Sequence, residues 1–88
     1  MSSWQVRFTA EGEKDFNRLN SAVKKRVVSK LHWLEKNFDS IVPEPLHYNL
    51  KNFYKLRVGL WRVVYEIDFT EMFLIVHRIE PRDKVYKI

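Results

Sequence analysis

The chain has no cysteine, which rules out disulfides, thiolate metal sites and cysteine nucleophiles together. Two glycines and three prolines in 88 residues leave no room for flexible linkers or low-complexity segments. Long apolar runs are missing as well. The longest, Met72 to Val76, falls far short of the roughly 20 residues that a membrane helix needs. The start, Met1-Ser2-Ser3-Trp4, has neither the basic nor the apolar region of a secretory signal. A cytoplasmic protein with no membrane association is therefore expected, and the lack of cysteine fits a reducing compartment. His32, His47 and His77 have no partners at ligand spacing, so no metal or other cofactor is expected.

What remains is a chain rich enough to build a core. It is 45 % apolar and 15 % aromatic, and residues 1–88 read as one small domain. A chain of this size buries roughly 60 % of its unfolded surface. Its net charge is +5, which favours an anionic partner, either nucleic acid or an acidic protein. The charge is spread along the chain: residues 1–50 hold eight Lys/Arg against six Asp/Glu, and residues 51–88 eight against five. Any basic patch must come from folding.

Hydrophobic spacing gives the elements. Trp4, Val6 and Phe8 alternate with Gln5 and Arg7, the period of a half-buried strand. Thr9 is placed to cap a first helix running to about Asn20 and burying Phe16 and Leu19, with Glu11, Glu13 and Asp15 in its first turns. Asn20-Ser21 reads as a break and a new cap. Val23, Val27, Leu31, Leu34 and Phe38 then form a stripe at spacings of three and four, predicting a second helix. Its other face carries Lys24, Lys25, Arg26 and Lys30. Pro43 and Pro45 hold Glu44 in a loop.

A meander of strands follows. Tyr54, Leu56 and Val58 share one face of the first, and Phe53, Lys55 and Arg57 the other, with Gly59 at the turn. Trp61, Val63, Tyr65, Ile67 and Phe69 make a complete apolar face, opposite Arg62, Val64, Glu66 and Asp68. After a turn at Thr70-Glu71, Met72 to Ile79 is apolar on both faces, as a central strand is. The expected fold is α+β: strand, two helices, three strands, with a small antiparallel sheet of about four strands and both helices on one face. Lys55, Arg57 and Arg62 then emerge on the open face, with Glu66 and Asp68 as its carboxylates. On this reading Arg62 is exposed, and folding should tolerate its truncation.

Three segments carry a resemblance. Phe53-Tyr54-Lys55-Leu56-Arg57-Val58-Gly59, Trp61-Arg62-Val63-Val64-Tyr65-Glu66-Ile67, and His77-Arg78 with Arg82-Asp83-Lys84-Val85-Tyr86 look like the RelE/ParE toxins of bacterial toxin–antitoxin systems, closest to the RelE-like branch. The resemblance implies a toxin that cuts messenger RNA on the ribosome. The message's own 2′-hydroxyl attacks the adjacent phosphate and leaves a cyclic product. It implies that Arg62 holds the scissile phosphate, that Arg82 is a second active-site arginine, and that Tyr86 orients a substrate base. Lys55 is implied in phosphate contact or proton transfer. Lys51, Arg57, Arg78 and Lys84 are further candidate RNA contacts. The implied partners are a cognate antitoxin, the ribosome and mRNA.

Departures from the pattern keep other readings open. Phe53 stands where some RelE-like members carry a lysine, and Glu80 where they carry an arginine. Pro43-Glu44-Pro45-Leu46 resembles the YoeB-type loop, whose glutamate is a general base, but no histidine precedes Tyr86. A ParE-like inhibitor of DNA gyrase, or an RNA-binding member without activity, are the alternatives.

Overall fold

The computed structural model describes residues 3–47 and 52–82. The candidate residues Lys51, Lys84 and Tyr86 lie outside them. The chain runs β1 (Gln5–Phe8), α1 (Ala10–Arg18), α2 (Ser21–Asn37), a 3₁₀ turn (Phe38–Ser40), β2 (Glu44–Pro45), β3 (Phe53–Val58), β4 (Trp61–Asp68) and β5 (Phe73–Pro81). Both helix starts are capped by the expected kind of residue. Thr9 Oγ1 accepts from the Gly12 N–H at 3.0 Å, and Asn20 Oδ1 from the Val23 N–H at 2.9 Å. The first helix stops two residues short of Asn20, with Leu19 already extended and buried.

The strands form one sheet in the order β1-β5-β4-β3-β2. β2 through β5 are an antiparallel meander. At its far edge β1 pairs with β5 in parallel, so the sheet is mixed and has a fifth, two-residue strand. Alternation tells which residues share a face but not which strands are neighbours, so direction was not readable from period. The β3–β4 connection is the two-residue turn Gly59-Leu60, with Gly59 at φ 59°. A positive φ at the first central position matches a type II′ hairpin turn, where glycine is strain-free.

Both helices cover the face made by Leu56, Val58, Val63, Tyr65, Ile67, Leu74, Val76 and Ile79, all buried together with Val27, Leu31, Leu34 and Phe38 of the α2 stripe. Phe69, assigned by alternation to this face, instead falls in the β4–β5 turn and is 70 % exposed. Burial pushes the Tyr65 hydroxyl up to about 12, with Tyr54 adding to the effect. Neither tyrosine reaches the open face, since they pair with each other on the covered one. No helix among the described residues is long and apolar enough to cross a membrane.

β5 departs from regular pairing once. Val64 pairs with Arg78 but Tyr65 with Val76, leaving His77 as an extra residue. This β-bulge lets Val76 and Ile79 both point into the core despite their odd spacing. Past the last β1–β5 pair, Phe8 with Val76, no strand among the described residues flanks β5 on that side, and α1 supplies the acceptor for the Ile79 N–H. Asp15, with a side chain only 7 % exposed, accepts from the Ile79 N–H at 2.9 Å and from Arg78 Nε at 2.8 Å. Burial alone would raise the Asp15 pKa. The Ile79 N–H outweighs it together with the Arg78 and Arg18 guanidinium groups, and the net shift is downward. The same contact raises the pKa of Arg78. Gly12 explains how α1 comes so close: a Cβ there would collide with the Val76 backbone carbonyl.

Two outcomes follow for stability. Gly12→Ala should destabilise by about 1–3 kcal/mol despite alanine's better helix propensity, because the clash is with backbone that cannot step aside; a chemical-denaturation curve checks it. Asp15 has a lowered folded pKa, so its contribution is present above the unfolded value and lost as pH falls from about 4 through that lowered value. Asp15→Asn should cost about 2 kcal/mol at neutral pH, the scale of hydrogen bonds to a charged group, and should flatten the acid limb of the stability curve. Melting points measured between neutral and acidic pH test both.

Candidate functional site

The face of the sheet opposite the helices carries a row of charge across four strands. Arg57 and Arg62 are register partners on β3 and β4. Glu80 on β5 is the partner of Arg62, and Glu44 on β2 is the partner of Lys55. Alternation along β3 and β4 brings Lys55, Arg57 and Arg62 to one face as expected, and the two-residue β2 adds Glu44 beside them. Two cations facing each other across neighbouring strands repel. Here each has a carboxylate: Glu44 Oε1 lies 3.6 Å from Arg57 Nη2, and Glu44 Oε2 lies 3.9 Å from Lys55 Nζ. Arg62 Nη2 donates to Glu80 Oε2 at 2.7 Å.

The two ends of the row differ in exposure. The Glu44 and Arg57 side chains are 45 % and 55 % exposed, so their attraction is screened by water and weak. The Arg62 and Glu80 side chains are only 12 % and 11 % exposed. At that depth an unpaired charge is costly, so each holds the other in place. This corrects the expectation that Arg62 is an exposed residue whose truncation folding would tolerate. The face is right, but removing Arg62 would leave the Glu80 carboxylate buried without its guanidinium.

The other candidates are placed as follows. Arg82 is exposed at the end of β5, where its N–H donates to the Leu60 carbonyl at 2.7 Å and Nη1 to the Gly59 carbonyl at 3.4 Å. It therefore sits at the β3–β4 turn, the end of the sheet where Arg57 and Arg62 pair. Arg78 is not gathered into the row, because Asp15 of α1 holds its guanidinium. Glu66 and Asp68 do not balance the arginines either. Glu66 Oε1 meets His77 Nε2 at 2.9 Å, and Asp68 Oδ1 accepts the Thr70 and Glu71 N–H groups of the turn.

Sequence reasoning missed the roles of Glu80 and of the Glu66–His77 pair. The first depends on the bulge, whose one visible signal was that Leu74, Val76 and Ile79 break the two-residue period, and the second on β4 and β5 being neighbours. A second basic surface runs from this row onto α2, where Lys25, Arg26, Lys30 and Trp33 line an open groove with Arg57 and Gly59. Within it Lys30 Nζ stands 4.0 Å from the Trp33 ring centroid.

Chemically, the row offers positive groups in ordered positions on a rigid sheet, with carboxylates at either end. A polyanion can replace carboxylates as the partner of such cations, and Arg binds two oxygens of one phosphate through its planar fork.

Comparison with known proteins identifies the architecture. The family model for the ParE toxin of type II toxin–antitoxin systems matches residues 6–86. No curated protein sequence matches the chain significantly. Among solved structures, the toxin–antitoxin complex RelBE2 from Mycobacterium tuberculosis is similar at 26 % identity and TM-score 0.77, covering 90 % of this chain and 98 % of that one. The isolated RelE toxin of E. coli is similar at 15 % identity and TM-score 0.78, with 96 % and 89 % covered. A YoeB/ParE toxin from Agrobacterium tumefaciens is similar at 16 % identity and TM-score 0.71, with 88 % and 96 % covered. At such identities the RelE and YoeB/ParE likenesses speak for the fold alone, while the family match spans nearly the whole sequence. The chain therefore belongs to the ParE toxin family of type II toxin–antitoxin systems, within the RelE/ParE superfamily.

Proposed function

We propose that this toxin is a ribosome-dependent endoribonuclease that cuts messenger RNA by attack of the 2′-hydroxyl on the adjacent phosphate. The observation that carries the reading is the row Glu44–Lys55–Arg57–Arg62–Glu80 on the open sheet face. In such a reaction negative charge builds on the phosphate, and preplaced cations stabilise it most. Arg62 takes the phosphate, exchanging Glu80 for phosphate oxygens, and Lys55 and Arg57 extend the contact along the backbone. Glu44 is the exposed carboxylate of the row and fits the role of general base. Arg82 at the β3–β4 turn and Tyr86 of the C-terminal segment complete the set that the family resemblance implies, with Lys51 and Lys84 as outer RNA contacts. Tyr86 would stack on or orient a base.

The partners in this reading are the ribosome with its message and a cognate antitoxin. Similar structures include RelBE toxin–antitoxin complexes, and a net charge of +5 suits an acidic antitoxin segment. The second reading is a ParE-like protein that inhibits DNA gyrase by binding it, with no RNA chemistry. It is favoured by the family model itself and by the carboxylate already seated on Arg62.

Induced expression separates the two. The nuclease reading expects translation to stop, with cuts mapping inside translated messages. Gyrase-linked DNA breaks with intact messages would support the other. Arg62→Ala should lower cleavage of ribosome-bound message roughly 30- to 1000-fold, and should also destabilise the protein by about 3 kcal/mol by stranding Glu80. Adding Glu80→Ala should restore much of the stability and none of the activity. Arg62→Lys should rescue the rate only in part, since a point charge lacks the fork. Full activity in the folded double variant would remove Arg62 from the mechanism.

A further inference from the structure

The open face carries a second cluster that the phosphate row leaves unused. His77 Nε2 is 2.9 Å from Glu66 Oε1, and the Phe53 ring meets the His77 ring edge-on with centroids 5.1 Å apart. Phe53 is also the register partner of Glu66. The three side chains come from three adjacent strands, and all are half-buried. An ionised carboxylate can only accept, so the His77 ring donates from Nε2 to Glu66. That contact holds the Glu66 carboxylate in place and leaves Oε2 and a further lone pair of Oε1 for another donor.

Such a cluster could move a proton or read a base, and geometry decides between them. A general base must come within about 2.6–3.2 Å of the oxygen it deprotonates. Glu66 stands four residues from Arg62 along β4, about 13 Å at the rise of a strand, with Val64 between them on the same face. If Arg62 holds the scissile phosphate, the cluster is too distant to touch the adjoining 2′-hydroxyl. It stands instead where a base attached near that phosphate would lie.

We propose that Phe53, Glu66 and His77 form a nucleobase subsite that takes an unpaired guanine. The aromatic ring of Phe53 is the stacking surface, which any base can use. Selection comes from Glu66. Guanine presents two neighbouring donors, N1–H and the N2 amino group, to a carboxylate that only accepts. Adenine and cytosine present a ring acceptor beside their amino group, which the carboxylate repels. His77 is a positioning residue that orients Glu66, and it shares the open face of β5 with Ile75, the register partner of Glu66. The location of the subsite relative to the cut rests on the nuclease reading; the recognition of guanine does not.

The test needs no cleavage. The whole protein is titrated with the 3′-monophosphates of guanosine, adenosine, cytidine and uridine while the His77 ring signal is followed by NMR. Guanosine monophosphate should bind about 5- to 150-fold more tightly than the others, the range of one good bidentate base contact, and should move the His77 signal. Glu66→Gln should shift the preference to adenosine monophosphate, because an amide supplies one acceptor and one donor. Phe53→Leu should weaken all four by roughly 5- to 150-fold without changing their order. Equal binding of all four by the unaltered protein overturns the proposal, as does an unchanged order in a Glu66→Gln protein with a normal melt. Mapping message cuts keeps the two readings apart. Cuts whose flanking bases ignore Glu66 uphold the nuclease and overturn the placement of the subsite beside the cut, whereas guanine-selective binding with intact messages upholds guanine recognition and overturns the nuclease.

Discussion

The extra residue in β5 sets most of what is distinctive about this molecule. Without a bulge at His77, the strand's alternation would carry Ile79 to the open face and drive Glu80 into the core. With it, Val76 and Ile79 both pack inward, and Glu80 lands opposite Arg62. Beyond the last β1–β5 pair the inward-packed Ile79 has a backbone N–H that needs an acceptor, since a buried orphan donor is costly. Asp15 accepts it, which obliges α1 to lie close against the strand and explains a glycine in the first turn of that helix. Core packing, helix docking and the charge arrangement on the open face are therefore coupled through a single irregularity.

On that open face the positive charge is ordered rather than merely concentrated. Glu44 serves Lys55 and Arg57, and Glu80 serves Arg62. Carboxylates keep the cations apart from one another and aligned while no polyanion is present, which reduces the repulsion of facing arginines. In the proposed nuclease reading, a phosphate approaching Arg62 would have to displace Glu80 from a nearly dry pair, which would favour a ligand that offers more than one oxygen. In the same reading, weakly held Arg57 and the exposed Lys-rich α2 would attract a polyanion at longer range, and Arg62 would discriminate at contact.

Much of this was legible in the residues. Period-2 alternation placed Tyr54, Leu56, Val58, Val63, Tyr65 and Ile67 under the helices, and by the same logic Lys55, Arg57 and Arg62 on the other side. The α2 stripe and the Thr9 and Asn20 caps were equally plain, because local spacing alone determines them. Pairing across long sequence separations was not. The parallel contact of β1 with β5, the two-residue strand at Glu44, and the Arg62–Glu80 pair depend on which strands end up adjacent. Glu80 looked only like a departure from the family pattern, and its partner was hidden until the bulge fixed its face. The functional reading drew on resemblance in Arg82 and Tyr86, for which charge and periodicity alone offer no distinguishing signal.

The central claim is that Arg62 exchanges its carboxylate for an RNA phosphate. Its most direct test is a titration of the protein with a short 2′-O-methyl RNA, which cannot attack its own backbone, followed through the guanidinium nitrogen signals of the arginines and the side-chain carboxyl signal of Glu80. The account predicts that the Arg62 and Glu80 signals move together with the same saturation, while Arg78, held by Asp15, stays unchanged. Saturable binding that shifts other signals and leaves Arg62 and Glu80 where they were would contradict it.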